Sequence, residues 1–294
     1  MRVRPRCLGR GIIYVSDTEL DWLPVSEAWI SGQDAPMRET LRDLVCALHR
    51  QLHPGGPRPH VPLLTRECTE VMYLSRVGRV SSAMELLTSL LSQVGGTMPS
   101  DKASAGFAMA LERLFCFALA WSVGGLLEPA DRKRLHKFME SHAKPGAMPA
   151  IDGDRTIFES RVDTKTLEWS SWKPDAWEYP DDEGGLNFSN LLVPTMDSTR
   201  SIFLLRTIQD RRIPILMVGG PGTAKTSTAL MFLASLDPAT MLSKRVNFSS
   251  ATTPRMFQDS VEASLDKRGG RTFGPVNGKD MTVFVDDISM PAQP

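Results

Sequence analysis

The chain has 294 residues, room for about two domains at roughly 150 residues each. Lys and Arg total 34 and Asp and Glu total 34, so the formal charge is zero; this excludes a general polyanion binder, whose phosphate contacts need surplus cations. At 41% hydrophobic and 23% charged residues, the composition is that of a globular protein and not of a disordered one.

Residues 1–10 are Arg-rich but contain no apolar core of signal-peptide length, and Asp17, Glu19 and Asp21 oppose a transit peptide. Residues 11–15 (Gly-Ile-Ile-Tyr-Val) predict a short strand. A helix is expected from Pro36, since proline suits a first helical turn, with Met37, Leu41, Leu44, Val45, Leu48 and Leu52 on one face. Residues 53–57 (His-Pro-Gly-Gly-Pro) end it and open a linker. A second helix is expected from Ser82, because Ser82 and Glu85 have capping-box spacing; Met84, Leu87, Leu91 and Val94 form its stripe. A third helix is expected over about 105–123. The longest uncharged stretch, 114–127, has 14 residues, short of the ~20 that span a bilayer, and therefore predicts a buried helix and no membrane partner. Pro129 opens a fourth helix with Leu135, Phe138 and Met139 facing inward, so residues 1–142 read as a mostly helical region.

Residues 143–154 turn to Pro, Gly and small residues, the clearest linker in the chain. Trp169, Trp172 and Trp177 follow, then the acidic turn 180–185. Clustered tryptophans stack nucleobases in single-strand binders, but acidic neighbours repel phosphate. The expectation is that they pin an irregular extension, within 143–190, onto a domain. Cys7, Cys46, Cys68 and Cys116 show no CxxC spacing and read as reduced thiols of an intracellular protein. His49 and His53 have the spacing of a metal pair but no evident third ligand, and read as surface histidines.

The informative part begins near residue 191. Residues 191–195 (Leu-Leu-Val-Pro-Thr) are extended, and Thr195 or Asp197 caps a helix carrying Ile202, Leu205 and Ile208. Residues 213–218 (Ile-Pro-Ile-Leu-Met-Val) form an apolar run of the kind buried in a parallel sheet. The run feeds into Gly219, Gly220, Pro221, Gly222, Thr223, Ala224, Lys225 and Thr226, followed by a helical stretch over 227–236. Strand, Gly-rich loop, Lys-Thr and helix make a phosphate cradle. Backbone N–H groups of 220–226 converge on an anion, Lys225 reaches its phosphates and the Thr226 hydroxyl ligates Mg²⁺. Ala224 stands where the pattern has its second glycine, which is expected to require a negative φ there. Residues 281–285 are a second buried-strand run ending in Asp286 and Asp287, 61 residues beyond Lys225. Asp286 is placed to complete the Mg²⁺ site and Asp287 to polarise attacking water. Glutamate is usual at the latter position; the shorter aspartate predicts slow or absent hydrolysis. Between them, 245–249 predict a strand, Thr253-Pro254 opens a helix running to Lys267-Arg268, and Asn277-Gly278 marks a tight turn. The alternation is the α/β, doubly wound pattern, here an incomplete parallel sheet after a helical region.

With these residues in view, the chain resembles an axonemal (ciliary) dynein heavy chain. The matching segments are 218–226 (Val-Gly-Gly-Pro-Gly-Thr-Ala-Lys-Thr), 246–254 (Val-Asn-Phe-Ser-Ser-Ala-Thr-Thr-Pro), 273–275 (Phe-Gly-Pro) and 283–291 (Val-Phe-Val-Asp-Asp-Ile-Ser-Met-Pro). Residues 121–125 (Trp-Ser-Val-Gly-Gly) and 192–195 are further matches, and the likeness spans nearly the whole chain except residues 1–10, where no arginine finger is assigned. The resemblance implies the end of the second AAA+ module over 1–142, a linker and Trp-rich extension over 143–190, and the first half of the third P-loop module over 191–294. Ala224 and Asp287 are themselves typical of that third module. By the same resemblance Val193 and Pro194 lie along adenine, the cofactors are ATP and Mg²⁺, and this module regulates an ATP-driven, minus-end-directed microtubule motor of the cilium axoneme. Its implied partners are neighbouring AAA+ modules and the dynein intermediate, light intermediate and light chains, with microtubules contacted only through parts absent here and no nucleic acid. The alternative expectation is a truncated interaction protein that binds nucleotide weakly or not at all. The chain stops seven residues after Asp287. In the family's order a further strand separates the two halves of the site, so the isolated chain is expected to lack a hydrogen-bonded link between them and to be inactive as an ATPase.

Overall fold

The computed structural model describes residues 22–52, 68–102, 104–174, 176–178 and 192–291. The expected strand at 11–15, with Cys7 and His53, lies outside the described residues. Contacts divide the chain into one unit of residues up to Trp172 with 210–212, and a second of 173–209 with 213–294.

Local capping sets the helix starts of the first unit. α1 (Leu23–Ser31) has proline in its first turn, and α2 (Ala35–Leu52) begins where Pro36 predicts. α3 (Arg76–Val94) starts six residues before the expected Ser82: the Ser75 hydroxyl accepts the Gly78 N–H at 3.1 Å, and Ser82 and Glu85 fall inside the helix. Ser75 wins because a cap needs extended backbone before the first turn, and ψ at Ser75 is 154°. α4 (Ala105–Val123) matches its expected range, with Ser104 accepting the Phe107 N–H at 3.2 Å. α5 (Pro129–His142) starts at its proline, and Asp131 in its first turn accepts the Thr69 N–H at 2.7 Å.

α4 is the axis of the unit, packed against α2, α3, α5 and a short hairpin. Its second half joins Leu127, Leu135, Met139, Ile157 and Phe158 in one core, as its apolar composition predicts. That hairpin, β1 (Ser160–Val162) with β2 (Trp169–Ser171), is antiparallel. The segment after α5 is pinned by its indoles. Trp169 Nε1 donates to the Ala147 carbonyl and Trp172 Nε1 to the Phe158 carbonyl, both at 2.9 Å. Both rings lie near Phe117, at centroid separations of 6.5 and 6.3 Å. Burying a ring while pairing its N–H is the economical use of tryptophan, and a base-stacking face is not what these two present.

In the second unit α6 (Met196–Gln209) follows Thr195, whose hydroxyl accepts the Ser198 N–H at 3.2 Å, so Thr195 and not Asp197 is the cap. α7 (Lys225–Ala234) packs on α6. The central pair is parallel: β3 (Met241–Asn247) runs beside β6 (Asp280–Asp286), from Met241 opposite Asp280 to Asn247 opposite Asp286. This gives the α/β character expected. α8 (Pro254–Glu262), capped by Thr253, lies in the crossover with the hairpin of β4 (Leu265–Gly269) and β5 (Thr272–Pro275). Residues 265–268 are therefore strand and not the end of a longer helix. Gly269 and Gly270 turn the hairpin, with Gly270 at φ 56°. Asn277 and Gly278 make the expected tight turn, both with positive φ. The run 213–218 departs from expectation. No described strand pairs with it, and Ile215, Leu216 and Val218 are 43, 59 and 49% exposed. Among the described residues β3 and β6 pair only with one another, so the run lacks the flanking strands that bury a parallel strand.

Two outcomes test the first unit. A methyl on Gly124 would sit 2.4 Å from Leu135 Cδ2 and 2.6 Å from Phe158 Cζ, whereas one on Gly125 meets nothing within 4 Å. Gly124→Ala is expected to destabilise the unit by about 1–3 kcal/mol in urea unfolding, and Gly125→Ala to leave it nearly unchanged. Burial also holds the His136 imidazole below its ordinary pKa, against the weaker opposing charges of Glu140 and Glu159, and its Nδ1 has no hydrogen-bond partner among the described residues. The unfolded chain therefore binds this proton more readily than the folded one. The contribution to stability is complete above about pH 6.5 and is lost as pH falls through the depressed folded value. Unfolding midpoints compared near pH 7.5 and pH 5 are expected to drop for the native chain and to drop less for His136→Gln.

Candidate functional site

The Gly-rich loop enters α7 through a tight backbone. Gly222 has φ 75° and Ala224 has φ 57°, the left-handed region. The expected negative φ at Ala224 is thus corrected. The loop needs a left-handed residue where the common pattern has glycine, and an L-residue there costs about 1–2 kcal/mol. Gly219 is also sterically committed, since a methyl on it would meet Thr223 Oγ1 at 3.0 Å.

Lys225 closes this loop on itself. Its Nζ donates to the Gly219 carbonyl at 2.9 Å, the Gly220 carbonyl at 2.6 Å and Thr223 Oγ1 at 3.2 Å. All three ammonium donors face loop oxygens, so an anion arriving at the loop competes with them for the charge. A phosphate oxygen competes well, because a charged acceptor binds an ammonium more strongly than a neutral carbonyl does.

At the second residue of the helix the second motif arrives. The Thr226 hydroxyl donates to Asp286 Oδ1 at 3.1 Å, joining residues 60 positions apart. The sequence reading expected no hydrogen-bonded link between the two halves. Among the described residues no backbone ladder joins them, but this side-chain bond does. Asp286 ends β6, half-buried, and Asp287 follows it exposed with φ 55°. The hydroxyl and carboxylate are hard oxygen donors suited to Mg²⁺, which takes one or two protein oxygens and keeps several waters. Val193 and Pro194 lie directly before α6 in the same unit, with Val193 49% exposed. No cluster of His, Cys, Asp and Glu able to hold a metal occurs among the described residues.

A family model described as the P-loop containing dynein motor region matches residues 179–294, and one for the dynein heavy chain AAA lid domain matches 59–174. The flagellar outer arm dynein gamma chain of Chlamydomonas reinhardtii is 37% identical over 285 residues, 96% of this chain. Dynein axonemal heavy chain 8 of Mus musculus is 36% identical over 290 residues, again 96% of the chain. This chain belongs to the dynein heavy chains. It spans 6% of the length of each of these two relatives. The dynein lid match covers most of the first unit and the P-loop match covers the loop, α7 and the β3–β6 pair.

One charged residue beside Asp286 is not evident from the sequence motifs. Arg245 on β3 places Nη2 at 3.1 Å from Asp286 Oδ2, and its Nε donates to Asn247 Oδ1 at 2.7 Å. Only the register of β3 on β6 reveals this, although the alternation of 245 and 247 on one strand face hinted at it. Relieving the left-handed alanine offers a test of the loop. Ala224→Gly is expected to raise stability by about 0.5–1 kcal/mol in thermal unfolding, the strain removed being partly offset by glycine's greater unfolded-state entropy.

Proposed function

We propose that residues 219–226 and Asp286 form an ATP site of a dynein motor module, with Mg²⁺ held between the Thr226 hydroxyl and the Asp286 carboxylate. The observation that supports this reading most is the Thr226–Asp286 bond, which brings the loop and the strand-end acid together as a nucleotide–metal site requires. Backbone N–H groups of 220–226 at the start of α7 would take the phosphates. Lys225 would turn from the loop carbonyls to them, and Val193 and Pro194 would flank the adenine. Bound Mg²⁺ supplies charge neutralisation across the phosphates.

Asp287 stands where a water-polarising acid belongs, but it is short and exposed, so the module holds nucleotide more than it consumes it. In that reading this is the third module of the ring and its nucleotide regulates the motor. The motor's stroke, its minus-end-directed travel, its contacts with neighbouring AAA+ modules and its intermediate, light intermediate and light chains belong to the whole heavy chain. The relatives named axonemal and flagellar point to the cilium axoneme as its place.

A fluorescent ATP analogue titrated onto the chain in excess Mg²⁺ tests the site. Lys225→Ala is expected to weaken binding at least tenfold, about 1.4 kcal/mol. Phosphate release by the native chain is expected not to exceed that of Lys225→Ala. Equal binding by the two would leave the chain an interaction segment without a nucleotide site, and steady turnover would remove the regulatory reading.

A further inference from the structure

The parallel register sets Asn247 opposite Asp286 and Arg245 opposite Phe284, so 245, 247, 284 and 286 share one face of the β3–β6 pair. On that face both Asp286 oxygens are engaged, Oδ1 by the Thr226 hydroxyl and Oδ2 by the Arg245 guanidinium. The guanidinium is held in place by Asn247. Its side chain is 40% exposed and that of Asp286 15%, so the charge pair sits at the mouth of the site and not beneath the sheet.

We propose that Arg245 is a built-in counter-cation for Asp286, a positioning residue that lets this site hold a nucleotide's phosphates with little dependence on Mg²⁺. The inference rests on the nucleotide site proposed above. An acid at the end of this strand normally waits for a divalent cation; uncompensated, it repels the phosphates that share its pocket. Here a monovalent cation fixed to the neighbouring strand already offsets that charge. Phosphates arriving without metal therefore meet less repulsion, and Mg²⁺ arriving at Asp286 meets a positive charge a few ångströms away. The two effects act in opposite directions on the metal-free and metal-bound complexes, so they add in the ratio of the two affinities. For a partly exposed pair each is worth about three- to fivefold, and together about tenfold.

The experiment measures the dissociation constant of a fluorescent ATP analogue twice on the full 294-residue chain, in excess Mg²⁺ and in EDTA. Arg245→Gln is expected to raise the EDTA-to-Mg²⁺ ratio about tenfold, and Arg245→Lys to return it toward the native value. Asn247→Ala keeps the charge but removes its tether and is expected to give an intermediate ratio; it also serves if Arg245→Gln does not fold. A purely structural role in joining β3 to β6 would shift both constants together and leave the ratio unchanged, and that result overturns the proposal. Failure of the native chain to bind the analogue under either condition removes the nucleotide site itself, and this assignment with it. Binding that Lys225→Ala abolishes, with an Mg²⁺ ratio indifferent to Arg245, removes the counter-cation alone.

Discussion

In the second unit one hydroxyl–carboxylate contact joins the loop and its helix to the central strand pair. Thr226 belongs to the helix that follows the loop and Asp286 to the end of β6, and at 3.1 Å they are bonded across 60 residues of chain. The ladder from β3 to β6 stops short of the loop. Three charged side chains around that contact have polar partners within the unit. Lys225 is satisfied by loop oxygens, Asp286 by Thr226 and Arg245, and Arg245 by Asp286 and Asn247. A partly desolvated charge left alone is costly, so these pairings hold the motif residues near one another.

The first unit is organised on apolar terms around α4, with a few buried polar groups among them. Glu112 is 2% exposed on α4, and its Oε1 accepts the Lys144 N–H at 2.8 Å, tying the chain after α5 back to the central helix. One turn further on, Cys116 is enclosed, and burial, aided by the Glu112 charge, pushes its thiol up to about 12. Such a thiol stays protonated and unreactive.

Much of this was legible in the sequence wherever the cause is local. Ser104, Gly124 and Pro129 punctuate α4 and α5 within a residue of their observed ends, and the loop, Lys225, Thr226 and Asp286 are readable from spacing alone. The misses share a different origin. Ser82 and Glu85 make a good capping box, yet Ser75 caps an earlier turn, and two local candidates of similar merit are separated only by the tertiary path of the chain. Leu265 to Lys267 continue the helical reading of α8 but pair with β5 instead, with Arg268 at a bulge, since the turn at Gly269 and Gly270 allows a hairpin. Arg245 is invisible until the register of β3 on β6 is fixed. Ala224 was misjudged because the loop's need for a left-handed residue outweighs the cost of a methyl there.

The run at 213–218, which pairs with no strand among the described residues, has a consequence for how this polypeptide behaves in bulk. Ile215, Leu216 and Val218 offer solvent an apolar ribbon with unladdered backbone, immediately before a glycine-rich turn. A ribbon of that kind is a template for strand exchange between molecules. Zero net charge provides no long-range repulsion to keep copies apart. Colloidal stability of the chain thus rests on keeping that short segment covered.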